Sequence, residues 1–177
     1  GGDITFFTGS GQSFPITIDT NGGIFKTNTD VNISGDVFNP SSVVNVLNSE
    51  WIIPQANSLI VNEDLTLNLT GNTFHNHGHI DIQDSSANLD LSGDLLDIAV
   101  GGSLIGSGTL IGDVEVNGGI LAGGDAYTFF GQLSIIGALT VNSGLYYSVI
   151  DPVEGLLAST VSADTISING GDLMVVW

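Results

Sequence analysis

His75, His77, His79 and Asp81, standing at every second position, form the densest set of chemistry-bearing side chains in the sequence. On an extended strand, residues two apart share a face. The four therefore fall on one side, with Phe74, Asn76, Gly78 and Ile80 on the other. The apolar set is expected inside, which leaves the histidines and Asp81 outside. Same-face neighbours stand about 6.6–7 Å apart, so a His-x-His pair can chelate one transition metal. All three imidazoles reach a single ion only if the strand bends, and Gly78 would supply the bend. Two other readings compete: a polar outer ladder that contains His, and a contact that changes as the imidazoles charge on mild acidification. Calcium is the second candidate cofactor, because it takes the oxygen ligands that clustered Asp supplies.

Other chemistry finds little support. Cysteine is absent, so neither disulfides nor a thiol nucleophile contributes. No Gly-x-Ser-x-Gly elbow appears on a strand-to-helix turn, and no phosphate-cradling loop precedes a helix. Inverting glycoside hydrolysis needs two carboxylates about 6.5–9.5 Å apart. Among 19 acidic residues some pair meets that distance by chance, so the criterion decides nothing. Asn32-Ile33-Ser34 and Asn68-Leu69-Thr70 match the N-glycosylation acceptor triplet, and both lie in strand-like segments.

The elements that must position these residues are short strands. Leu65, Leu67 and Leu69 alternate with Thr66, Asn68 and Thr70, and Val114 and Val116 with Asp113, Glu115 and Asn117. Ile166 and Ile168 alternate in the same way with Thr165, Ser167 and Asn169. Such period-two alternation puts one set of side chains inside and the other in water. Repeated without an intervening helix, it predicts a solenoid of stacked β-coils. The 177 residues, 42% of them hydrophobic and 25 of them Gly, suit one elongated all-β domain spanning 1–177. Asn39-Pro40 and Ile53-Pro54 interrupt the rhythm. Residues 39–58 are expected as an irregular insertion or lateral excursion, with Val43 to Trp51 a short helix or bulging loop.

A solenoid coil takes about 20–25 residues, which predicts about seven to nine coils. At about 4.8 Å per stacked strand the rod would be about 35–45 Å long. Asn-Gly-Gly at 117–119 and again at 169–171, 52 residues apart, fits a spacing of two coils. One cation, Lys26, faces 19 carboxylates, for a formal charge of −18. That charge repels phosphate backbones and anionic membranes, which argues against nucleic-acid binding. It also holds copies apart until salt or divalent ions screen them. No apolar run reaches the roughly 18 residues of a spanning helix, so membrane insertion is not expected. The chain begins at Gly1 without Met or a signal peptide. It reads as a processed mature chain or a trimmed fragment of an exported protein.

Residues from about 100 onward resemble the β-helical passenger domains of Gram-negative autotransporters. Gly106-Ser107-Gly108-Thr109-Leu110 leads into Val114-Glu115-Val116-Asn117-Gly118-Gly119-Ile120-Leu121. Gly137-Ala138-Leu139-Thr140-Val141-Asn142-Ser143-Gly144 and the Ile168-Asn169-Gly170-Gly171-Asp172-Leu173 stretch follow. Phe74-His75-Asn76-His77-Gly78-His79-Ile80 looks like a variant of the Asn-x-Gly-x-Ile coil of the same repeats. The resemblance implies a right-handed parallel β-helix, secreted or on a cell surface. Gly123-Gly124 stands where the family carries Pro in its small-residue turn, and the membrane barrel that exports passengers is absent. The same fold hosts pectin-degrading enzymes, and Asn28-Thr29-Asp30 matches one short polygalacturonase motif. The paired aspartates, Gly-His-Gly and Arg-x-Lys that complete that site are missing, and the absence of Arg counts against lyase chemistry.

The expectation is therefore a non-catalytic structural rod, extracellular or at a cell surface. The strand Asp172 to Trp177 has no polar cap, and Ile4-Thr5-Phe6-Phe7 starts almost at once. A sheet end of this kind is a template for pairing. Ile4, Phe6, Phe7, Met174, Val176 and Trp177 are thus the expected contacts for head-to-tail stacking of copies, unless a longer solenoid continues beyond them. The alternative function is an adhesin or passenger domain that binds a host surface or glycan. A polysaccharide-degrading β-helix is the remaining, weaker alternative.

Overall fold

A computed structural model describes the backbone of the strands named below and, with side chains, residues 51–61, 64–69, 73–124, 130–150 and 158–176. The sixteen strands belong to one hydrogen-bonded sheet. They are β1 (Ile4–Phe7), β2 (Pro15–Asp19), β3 (Phe25–Lys26), β4 (Val31–Ser34), β5 (Ser41–Leu47) and β6 (Trp51–Ile53). Then follow β7 (Ser58–Val61), β8 (Asp64–Asn68), β9 (Thr73–Asn76), β10 (His79–Ile82) and β11 (Asn88–Ala99). The last are β12 (Ser103–Gly106), β13 (Thr109–Gly123), β14 (Gly131–Asp151), β15 (Leu157–Ile168) and β16 (Asp172–Val176).

Strands pair in parallel with the strand one coil away, along three ladders. The first runs β1, β4, β7, β10, β12, then the ends of β13 and β14, and β16. The second runs β2, β5, β8 and the starts of β11, β13 and β14. The third runs β3, β6, β9 and the later parts of β11, β13 and β14. β15 meets β14 antiparallel where Ala158 and Leu157 face Ile150 and Asp151. Farther along, partner numbers climb together from Leu133↔Val161 to Val141↔Ile168, the sense of the rest of the wind.

The result is an all-β parallel β-solenoid of about five turns. On the first ladder β7, β10, β12, β13, β14 and β16 mark these five turns among the residues described with side chains, whereas the expected seven to nine coils divided the whole chain by one uniform coil length. The turns are in fact unequal: 18 residues separate the paired Leu96 and Val114, whereas 25 separate Val114 and Leu139. Region 39–58 also departs from expectation. Val43, Val44 and Val46, β-branched residues suited to a pleated surface, lie in β5, which pairs with β2 and β8. Trp51 to Ile53 form β6, between β3 and β9. Pro54 stands just after β6, where its carbonyl accepts from Asn57 N at 3.1 Å and closes a corner. There it needs no ladder N–H, so it does not interrupt the sheet.

Inside, alternate residues of each rung stack into columns. Leu59, Ile80 and Leu104 form one, and Leu65, Leu89 and Leu110 another, all fully buried. Trp51 and Phe74 stack with ring centroids 5.2 Å apart. The corner between β9 and β10 falls at His77 and Gly78. Here Asn76 Oδ1 accepts from Gly78 N at 3.0 Å, and its Nδ2 donates to the Ser103 carbonyl at 2.8 Å. A Cβ at Gly78 would run into the carbonyl oxygens of Asn57 and Pro54, so only glycine fits.

Candidate functional site

The corner at His77 and Gly78 separates the histidines. His75 lies on β9 in the third ladder, His79 and Asp81 on β10 in the first, and His77 at the bend between them. Gly78 thus supplies the bend that the sequence anticipated, but it sends the histidines to different faces. Among the described residues no group of three or more His, Asp and Glu could hold a metal ion. The inward set is as expected, with Phe74, Asn76, Gly78 and Ile80 buried. Asp81 departs from expectation, being buried rather than outside. It lies in register between Ile60 and Ile105 of the flanking rungs, and its Oδ2 accepts from Gln83 Nε2 at 2.9 Å.

His75 and His79, both half-buried, each pair across a rung. His79 Nδ1 meets Ser103 Oγ at 2.7 Å, and His75 Nδ1 meets Asp97 Oδ2 at 2.9 Å. A carboxylate only accepts, so the His75 Nδ1 carries the proton. The other Asp97 oxygen, Oδ1, accepts from Asn117 Nδ2 at 2.8 Å. Asn117 Oδ1 accepts from Asn142 Nδ2 at 2.9 Å, and Asn142 Oδ1 from Asn169 Nδ2 at 2.8 Å. A one-way amide ladder thus runs from Asn169 to Asp97, and aligned hydrogen bonds of this kind polarise one another. The sequence signalled part of it: the two Asn-Gly-Gly segments are two coils apart, with Asn142 on the rung between them. The acceptor Asp97 and its other donor, His75, gave no such signal, because only the coil register brings them together.

The second feature is the end of the solenoid. Leu96, Val114 and Leu139 lie in one inward column and are at most 4% exposed; Ile166, next in that column, is 53% exposed. Ile168, in register with Val141, is 74% exposed, and Leu173, in register with Tyr146, is 65% exposed. Together with Leu121, Val161 and Tyr146 they line an apolar cavity of about 310 Å³. Of the expected end contacts, Met174 and Val176 are exposed, and Trp177 lies outside the described residues. Ile4, Phe6 and Phe7 form β1, and their side chains lie outside the described residues, as does that of Asn32 on β4. The exposure of Ile166, Ile168 and Leu173 was missed because their alternation matches that of buried strands; only the last rung's position uncovers them.

Asn68 is half-buried on β8, a strand paired on both sides. No helix among the described residues is long and apolar enough to cross a membrane. Compared with protein-family models, with curated proteins and with solved structures, the chain matches none.

Proposed function

We propose that the chain is a non-catalytic structural β-solenoid, secreted or displayed on a cell surface, that associates end to end into a filament or sheath. The observation that carries this reading is the open last rung, where inward columns that are buried in the interior turns meet solvent. Burying apolar surface contributes roughly 25 cal/mol per Å², so a matching rung placed there gains what each interior rung already has. The passenger-like repeats support a right-handed wind and an extracellular location, and the paired strands β1 to β5, which precede the turns described with side chains, support seven to nine coils in all.

Electron microscopy of the purified chain at moderate salt tests the reading. Ordered fibres about one solenoid wide are expected; particles that stay single at every concentration and salt would refute it. A second reading, an adhesin, draws on one surface feature. Gly118, Gly119, Ile120, Ser143, Gly144 and Leu145 line a shallow groove at the corner between the third and first ladders. Saturable binding of a glycan, abolished by filling this groove with a bulky side chain at its exposed Ser143 (Ser143→Trp), would favour that reading over assembly.

A further inference from the structure

The tripeptide Asn-Gly-Gly occurs three times in the chain. Asn21-Gly22-Gly23 lies outside the described residues, whereas Asn117-Gly118-Gly119 and Asn169-Gly170-Gly171 are both described. Glycine after asparagine leaves its peptide nitrogen unshielded, so that nitrogen can attack the preceding carboxamide. The two described copies have the same local sequence, and any difference in their reactivity comes from the fold.

The fold treats them differently. Asn117 lies inside β13 and is in register with Ala99 on one side and Ser143 on the other. Its Nδ2 donates to Asp97 Oδ1 at 2.8 Å and stands 3.5 Å from Glu115 Oε2, and its Oδ1 accepts from Asn142. The two carboxylates also oppose negative charge that builds on the neighbouring peptide nitrogen. Asn169 and Gly170 instead form a bend between β15 and β16. Asn169 is exposed, and its Nδ2 donates to a neutral partner, Asn142 Oδ1, at 2.8 Å. The exposure belongs to this face of the coil, because Asn142, with a rung on each side, is exposed too. The Val141 carbonyl accepts from Asn169 N at 2.8 Å and from Gly170 N at 3.3 Å. The longer of these bonds is the one that the attack releases.

We propose that Asn169 is a self-modification site, which deamidates in the folded protein while Asn117 is protected. The Gly170 nitrogen bonds to Asn169 Cγ and the Cγ–Nδ2 bond breaks. The Gly170 N–H proton ends, through solvent, on the departing nitrogen, which leaves as ammonia. Water then opens the cyclic imide at one of its two carbonyls and leaves aspartate or isoaspartate. A carboxylate only accepts, so the product no longer donates to Asn142 Oδ1, and the amide ladder is cut at that step. The inference is independent of end-to-end association.

The test incubates the full folded chain in warm, mildly alkaline buffer and follows residues 117 and 169 by peptide mapping that separates Asn, Asp and isoaspartate. The products are expected to accumulate at 169 about tenfold or more faster than at 117, since Asn117 must first give up a bond to a carboxylate. In urea the two rates should converge. Asp97→Ala, checked for a folded β spectrum, should speed the reaction at 117 and leave 169 unchanged. The comparison within the unaltered chain stands even where that variant does not fold. Asn169→Asp, which carries the product from the start, should speed hydrogen exchange at Asn169 and Gly170; unchanged exchange would remove the ladder's part. Equal rates in the folded chain, a faster reaction at 117, or a difference that persists in urea would overturn the proposal.

Discussion

Asp84 and Asp94 show two separate uses of a carboxylate in an acidic chain. Asp84 is exposed and closes a turn, accepting from Ser86 N and Ser86 Oγ, both at 2.8 Å. The backbone bond first, and then the hydroxyl, hold its carboxyl below the ordinary value of 3.8. A depressed acid favours the folded state above its unfolded value, and that contribution is lost as pH falls through the folded value. A carboxyl NMR titration should therefore place Asp84 below 3.8. Ser86→Ala should raise its midpoint only part of the way back, because the larger contribution, the N–H, remains; an unmoved midpoint would remove the hydroxyl's role. Asp94, by contrast, is buried and accepts from Leu69 N at 2.8 Å. Asp94→Ala leaves that buried N–H without this acceptor, which costs about 1–3 kcal/mol. Urea unfolding measures it, and a loss near zero would show that water replaces the carboxylate.

At the scale of the element, the rung is held by columns, so damage depends on column position. Phe74 is fully buried and stacked on Trp51. Phe74→Ala should cost about 3–5 kcal/mol in chemical denaturation. Ile136→Ala, on the outward face and 52% exposed, should cost well under 1 kcal/mol; equal losses would contradict the inward and outward assignment. The alternation that makes this assignment was legible from the residues alone, as at Leu65, Leu67 and Leu69. At the corners the residues showed only that Gly78 could bend, not that the chain turns there. Phe74, Asn76, Gly78 and Ile80 all point inward, so the pattern passes through the bend at His77 and Gly78 without losing phase. What makes the bend is the Asn76 side chain and the room left at Gly78, both features of the neighbouring rungs. The histidine pairs were hidden for the same reason: Asp97 and Ser103 lie 22 and 24 residues from His75 and His79, and only coil length decides what meets.

For the molecule as a whole, the opposing forces are charge and stacking. The sequence carries 19 acidic side chains and one cation, and a parallel wind sets successive rungs only about 4.8 Å apart. Glu115 and Asp97 are direct register partners, for example. Unfolding lets such charges separate, so added salt should stabilise this fold. Raising monovalent salt from about 10 mM to about 150 mM shortens the screening length from about 30 Å to about 8 Å. The melting temperature should rise over that range and then flatten. Calcium chloride matched in ionic strength separates screening from a specific site. With no candidate metal cluster among the described residues, calcium should do no more than sodium there. A larger rise with calcium, reversed by EDTA, would place a cation site outside them. A melting temperature indifferent to salt would mean that the carboxylates are too well separated in the fold to repel, and the charge barrier to end-to-end association would then be absent as well.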